Sequence, residues 1–241
     1  MYLSTETKED SERKTLIDYI KGAFNYWNVN HYKGCGKRIW DLSAAIPIFI
    51  FISPLLLALS IFIKLDSRGP VIFKQKRIGK DGKVFDVYKF RTMHVDTDFS
   101  SFTTTENDPR ITRAGKFMRP ISLDELPQLI NIIKGDMSFI GPRPISEEEY
   151  NNVKSLNGFP EKVLHDLVPG VRPGILGLAI FYGREKISYE NRCKLNNLYE
   201  EKQSLLFDSY ISWLTLKKYW LSYLIVVSLF ITIPVAILLI I

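Results

Sequence analysis

The sequence predicts an α+β, mainly helical, monotopic membrane protein. Its parts are a re-entrant helix–break–helix anchor, a small cytoplasmic domain with a short β-hairpin, interfacial helices and a C-terminal apolar helix. Three observations lead there. Two long runs carry no charge, Leu42 to Ile63 (LSAAIPIFIFISPLLLALSIFI) and Tyr219 to Ile241 (YWLSYLIVVSLFITIPVAILLII). Basic residues flank the first run on both sides, and Ser53-Pro54 sits at its midpoint. Between the runs, strand-like alternation and helical periodicity share a stretch of ordinary globular composition.

With 241 residues, 46% hydrophobic and 24% charged, the chain is neither disordered nor collagen-like. Two cysteines exclude a disulfide framework. The net charge of +6 suits anionic partners, among them phosphorylated substrates and membrane surfaces. Four regions follow: an N-terminal extension (1–36), a re-entrant membrane helix (37–68), a cytoplasmic domain with interfacial helices (69–218) and a C-terminal transmembrane segment (219–241).

In the extension, Leu16, Tyr19, Ile20, Ala23, Phe24 and Trp27 recur at helical spacing, and Gly34-Cys35-Gly36 reads as a linker. The first apolar run is long enough to cross hydrocarbon, which needs ~20 residues. Neither run reads as a signal peptide, because the first starts late and follows charges of both signs. Lys37 and Arg38 precede the first run, and Lys64, Arg68, Lys74, Lys76 and Arg77 follow it. The positive-inside rule draws both flanks to the cytoplasm, which a straight span cannot satisfy. Pro54 removes a backbone donor and favours a sharp break, with Ser53 placed to satisfy the freed carbonyl. The alternative is a kinked spanning helix. The second run follows Lys217 and Lys218 and reads as a span kinked at Pro234, or as an interfacial hairpin.

Residues 70–93 read as two strands around Lys80-Asp81-Gly82-Lys83, a hairpin signal. Residues 94–110, rich in Ser, Thr and Asp, read as a loop. A helix is expected within 111–135, with a stripe of Leu126, Leu129, Ile130 and Ile133 and with Gly135 at its end. GPRP (141–144) and PGVRPGILG (169–177) are rigid turns, and 185–218 reads as helical, its second half interfacial.

The densest chemistry lies in RPISLDELPQLINIIKGDMSFIGPRP (119–144). Asp124 and Glu125 are adjacent carboxylates at a helix start, bracketed by Arg119 and Arg143, with Arg110 and Arg113 upstream. Arginines match phosphate oxygens, and a helix start favours anions. The set suggests phosphoryl chemistry with a divalent metal, one carboxylate holding the ion and the other acting as nucleophile or base. The structural alternative is a capping box, Ser122-x-x-Glu125, with Asp124 placed for the helix dipole. That alternative leaves the arginines unexplained, and Pro127 moves the helix start.

Other signals are weak. Asp96-Thr97-Asp98 is a lone D-x-D in a polar loop, and the three histidines are scattered. No P-loop, dinucleotide-binding or nucleophile-elbow pattern occurs. Basic and aromatic residues interleave at 73–91, which reads as a membrane-facing surface and not a nucleic-acid site.

On KRIWDL (37–42), Ser53-Pro54, GPVIFKQKRIGKDGKVFDVYKFRTM (69–93), residues 108–144 and PGVRPGILG (169–177), the chain resembles the bacterial sugar transferases. More closely it resembles their small form, the monotopic polyprenyl-phosphate phosphoglycosyl transferases. The resemblance covers roughly residues 37–218. It implies a bacterial inner-membrane enzyme with its active site on the cytoplasmic face. Such an enzyme moves a phosphosugar from a UDP-sugar to undecaprenyl or a similar polyprenyl phosphate, releases UMP and starts a surface glycan. It implies Asp124 as covalent nucleophile, Glu125 as Mg²⁺ ligand, and Arg119 and Arg143 at the phosphate site. It also implies a re-entrant helix broken at Ser53-Pro54, with Lys37 and Arg38 as its basic anchor. Glycan-assembly enzymes or a second copy are further expected partners. One segment departs from the family: PGILGLAIFYGRE (173–185) has Leu176, Leu178, Ile180 and Tyr182 where polar or aromatic residues are usual, while Arg184 is retained as a donor contact. Two rivals remain, a non-catalytic membrane scaffold of a glycan-assembly complex, and a D-x-D glycosyltransferase that would release UDP.

Overall fold

A computed structural model describes residues 32–95, 108–155, 170–181 and 189–217. The N-terminal amphipathic segment, Asp96-Thr97-Asp98, Tyr182, Arg184 and the run 219–241 lie outside the described residues. The described part is rich in helix, with two small sheets.

The first apolar run forms one helix, α1 (Lys37–Asp66). Gly34-Cys35-Gly36 is not a linker but part of a π-helical turn, Tyr32–Gly36, that leads straight into it. By length and composition α1 could cross a membrane, and at ~1.5 Å per residue it is roughly 45 Å long. The helical backbone continues through Ser53-Pro54, where a break was expected. The reason is local. Pro54 cannot donate to the carbonyl of Ile50, and Ser53 Oγ does so in its place at 2.7 Å.

One stripe of α1 is buried along its whole length: Lys37, Asp41, Ala45, Leu55, Leu59 and Ile63. Ala45 packs with Val87, Leu129 and Ile132. Leu55, Leu59 and Ile63 pack with Phe90, Ala114, Met118 and Leu123. Both ends of the helix are thus held by the same body. Its other faces expose Ile39, Trp40, Ile46, Ile50, Phe51, Leu57, Ile61 and Leu65, a load of apolar surface that suits lipid better than water.

The hairpin forms as its sequence requires. Strands β1 (Ile72–Ile78) and β2 (Val84–Phe90) pair antiparallel, Ile72 opposite Phe90 and Ile78 opposite Val84. Asp81 and Gly82 take left-handed φ values of 55° and 75° in the turn. A bridge between Met93 and Ile111 closes the base of the polar loop.

The helix expected within 111–135 is instead four pieces: α2 (Arg113–Met118), two 3₁₀ turns (Arg119–Ile121 and Leu123–Glu125) and α3 (Gln128–Lys134). Pro120 and Pro127 interrupt the ladder, and Ser122 between the turns is left-handed at φ 56°. Gly135 ends α3 in the left-handed region, as its position implied.

The two rigid turns pack on each other. β3 (Ser138–Ile140) pairs in parallel with β5 (Gly174–Leu176), and the short β4 (Ile145–Ser146) joins β1 at the edge of the first sheet. The backbones meet so closely that a Cβ on Gly141 would lie 2.4 Å from the Arg172 carbonyl oxygen. Helices α4 (Glu147–Ser155), α5 (Leu178–Phe181) and α6 (Tyr189–Lys202) follow, then α7 over 205–217. The long C-terminal helical stretch is therefore divided, and Ser204 caps the start of α7 by accepting from the Phe207 amide at 3.2 Å. Phe207 and Ile211 close a third core cluster with Leu178, Leu195 and Leu198.

Candidate active site

Asp124 and Glu125 lie on the second 3₁₀ turn, ahead of α3 and not in its first turn. Ser122 makes no side-chain cap, so the capping box does not form. The turn closes by backbone bonds alone, Glu125 N to Ser122 O and Leu126 N to Leu123 O, each 3.2 Å. Leu123 pins the turn from beneath, fully buried in the cluster that holds Leu55, Leu59 and Ile63 of α1. The pair of carboxylates is therefore mounted directly on the second half of the membrane-type helix.

The surrounding charges come from distant parts of the chain. Lys89, near the end of β2, places Nζ 3.2 Å from Glu125 Oε1. Two residues past β2, Thr92 Oγ1 accepts from Arg119 Nε at 2.9 Å. Burial pushes the Asp124 carboxyl above its ordinary range, Glu125 pushes the same way, and Lys89 and Arg119 pull it back. Arg119 is itself lowered, chiefly by burial, and Asp124 and Asp108 oppose that shift.

The other expected arginines divide. Arg110 grips Asp108 with Nε at 2.9 Å and Nη2 at 2.7 Å, which pulls the Asp108 carboxyl down to about 2. Arg113 is exposed at the start of α2. Arg143 belongs to a second basic group with Arg77 and Arg192. Burial and then Arg143 lower the Arg77 guanidinium to about 10, while Glu149 opposes the shift. Arg192 reaches Glu149 at 2.7 Å and donates to the Arg143 carbonyl oxygen at 3.1 Å. The pair is thus bordered by Lys89 and Arg119, and the Arg77–Arg143–Arg192 group lies near enough for the Glu125 charge to act on Arg77.

Sequence reasoning passed over Lys89, Thr92, Arg77 and Arg192. The strand alternation around Lys89 and Arg77 was visible, but which strand faces the pair is decided by the fold. Lys37 and Arg38 also depart from the expected basic anchor at the membrane interface, because both turn inward. Lys37 is 3% exposed and held by Asp208 at 2.5 Å and Asp41 at 3.4 Å. Arg38 donates to the Ile132 and Ile133 carbonyl oxygens at the C-terminal end of α3, where a cation suits the helix dipole. Leu178, one of the departures from the family segment, is core and not site lining.

Hard oxygen ligands suit Mg²⁺, which is commonly held by one or two carboxylates together with substrate phosphates. Among the described residues there is no group of three metal-ligating side chains. The Asp124–Glu125 pair fits that sparse pattern.

A family described as bacterial sugar transferase matches residues 32–222. The chain belongs to that family. A UDP-glucose:undecaprenyl-phosphate glucose-1-phosphate transferase of Klebsiella pneumoniae is 41% identical over 191 residues, which are 76% of this chain and 39% of that protein. An undecaprenyl-phosphate glucose phosphotransferase of Komagataeibacter xylinus is 38% identical over 76% of this chain and 35% of its own length. The chain thus spans little more than a third of these curated sugar transferases. It covers 87% of an exopolysaccharide production protein, ExoY, of Sinorhizobium fredii, at 36% identity.

Proposed function

We propose that the chain transfers a sugar phosphate from a UDP-sugar to undecaprenyl or a related polyprenyl phosphate, releasing UMP. The reaction belongs at the cytoplasmic face of a bacterial inner membrane, as the first step of a surface glycan. The observation that carries this reading is the Asp124–Glu125 turn between Lys89 and Arg119, seated on α1 through Leu123.

An ionised Asp124 oxygen attacks the β-phosphorus of the donor. The bond from that phosphorus to the bridging oxygen breaks, and UMP leaves with the electron pair. The sugar phosphate remains on Asp124 as an acyl phosphate. An oxygen of the lipid phosphate then attacks the same phosphorus and frees the carboxylate, giving a lipid diphosphate sugar. The covalent step divides one transfer between a soluble and a lipid substrate into two. In this reading Arg119 and Lys89 offset the charge that builds on the phosphoryl oxygens, and Arg143, beside Arg77, meets a second phosphate. Mg²⁺ held by Glu125 would supply further neutralisation of the diphosphate. Arg184 is kept as a donor contact and Arg110 as the partner that fixes Asp108 near Arg119. Burial raises the Asp124 value and only the ionised carboxylate can attack, so turnover should rise as pH passes through that raised value.

The anchor is proposed to be re-entrant through a bend at Pro54 that keeps the helical backbone continuous, because both ends of α1 are held against one body and basic residues flank both ends. Cysteine probes before Lys37 and after Lys64 should react from the cytoplasmic side alone, and opposite-sided labelling would mean a span. The activity is tested in nanodiscs with Mg²⁺, undecaprenyl phosphate and a panel of UDP-sugars, with UMP and UDP measured separately. UMP release that Asp124→Ala abolishes is expected. UDP release would point to a different transferase class, and donor binding without release to a scaffold.

A further inference from the structure

We propose that the outer face of α2, with the basic residues at the C-terminal end of α1, docks on the anionic phospholipid headgroups of the bilayer. The six residues of α2 divide cleanly by helical spacing. Ala114, Gly115 and Met118 are buried, and Arg113, Lys116 and Phe117 are exposed. Gly115 is pressed so close to the Thr92 carbonyl that a Cβ there would lie 2.2 Å from its oxygen, so the inward face of α2 is fixed. The outward face therefore cannot roll away from its present aspect. An outward face of two cations and one aromatic ring is the composition of a helix at a lipid interface, where the ring enters the acyl boundary and the cations meet phosphate.

Two contacts make this face continuous with α1. The ring of Phe117 meets that of Phe62 edge to face, with centroids 6.3 Å apart. The Asp66 carboxylate accepts from the Ala114 amide at 2.9 Å. Phe62, Ile61 and Leu65 are among the exposed apolar residues of α1, Leu65 at 82%. Lys64 and Arg68 are exposed beside them, Lys64 donating to the Gly69 carbonyl. Among the described residues no carboxylate holds Arg68, Arg113 or Lys116. The apolar surface thus ends in a rim of four cations, Lys64, Arg68, Arg113 and Lys116, at the level where hydrocarbon gives way to phosphate. Charge complementarity selects an anionic surface over a zwitterionic one. This assigns Arg113 to the bilayer and not to the nucleotide substrate. It bears on the proposed transfer only through the depth at which α2, which leads into Arg119, is held.

The test uses the full chain with Cys35→Ser, the remaining Cys193 being buried from the label, so that a single fluorophore can be placed on Phe117→Cys or, as a reference on the exposed face of α1, on Leu57→Cys. Phosphatidylcholine nanodiscs carry equal fractions of brominated phosphatidylglycerol or brominated phosphatidylcholine. Both lipids should quench the Phe117 probe, with phosphatidylglycerol the stronger by about twofold or more, well within the roughly fivefold that one basic residue can contribute at such a surface. Arg113→Gln with Lys116→Gln, or high salt, should bring the ratio to one. Equal quenching by the two lipids, or a quenched Leu57 probe beside an unquenched Phe117 probe, overturns the proposal. An unquenched Leu57 probe overturns it together with the membrane anchor, whatever the enzyme's activity. Loss of the excess on adding inorganic phosphate, but not chloride of equal ionic strength, would assign the patch to a discrete phosphate ligand instead.

Discussion

At its first end, α1 is tied to the body by charge: Lys37 between Asp208 and Asp41, Asp41 to the Ser138 hydroxyl at 2.9 Å, and Arg38 to α3. At its second end the tie is apolar, through Leu55, Leu59, Ile63 and Leu123. The two ends do different jobs. Apolar packing is non-directional and supplies area, so it sets how firmly the helix and the Asp124 turn adhere. A buried ion cluster is directional and gains little net stability over a well-packed apolar substitute, so it sets which rotation and register the helix adopts. The charged end joins residues 171 positions apart and so also fixes α7.

Removing one partner at the charged end should have the largest effect on stability. Asp208→Ala takes from the buried Lys37 its nearer carboxylate, leaving only Asp41 at 3.4 Å, and should cost about 3 kcal/mol, read by denaturant unfolding in detergent. Removing the whole cluster, Lys37→Met with Asp41→Asn and Asp208→Leu, should recover most of that loss, and a triple variant as unstable as the single one would break the contrast. At the apolar end, Leu59→Ala should cost about 3 kcal/mol and lower turnover as well, because Leu123 shares its cluster. Unchanged turnover would uncouple the turn from the helix.

A smaller, pH-dependent effect belongs to the turn itself. Burial raises the Asp124 value, so the folded state holds that proton more tightly than the unfolded chain does. The stability this group contributes is full below the ordinary carboxylate range and is lost as pH rises through the raised value. Asp124→Asn should therefore unfold at a higher temperature than the parent near neutrality and at nearly the same temperature in acid, a comparison thermal scans can make. Smallest of all, Ser53→Ala frees the Ile50 carbonyl and should cost about 1 kcal/mol or less, visible as faster amide exchange near residue 50.

Features written in short-range chemistry were legible in the sequence. Asp81-Gly82 between alternating apolar residues specified the hairpin and Gly135 the end of α3, and the adjacent carboxylates with Arg119 marked the candidate site. What was hidden depends on partners far along the chain. Lys37 reads as an interface anchor until Asp208 comes to meet it, and Lys89 reads as strand surface until the sheet lays it against Glu125. The helix expected within 111–135 was legible only in part, in α3 with its end at Gly135. Its apolar stripe is real, with Leu129 and Ile132 buried, but two prolines and a left-handed Ser122 outweigh periodicity and turn the carboxylates out of the helix.

Asp124, on the turn that Leu123 seats against α1, is the residue proposed to bond the sugar phosphate. Intact mass and peptide mapping of the protein incubated with donor and Mg²⁺, without lipid acceptor, address it directly. One added sugar phosphate is expected on the peptide containing Asp124, absent in Asp124→Asn and discharged by undecaprenyl phosphate. UMP release at the parent rate from Asp124→Asn, or an adduct mapped to another residue, would contradict it.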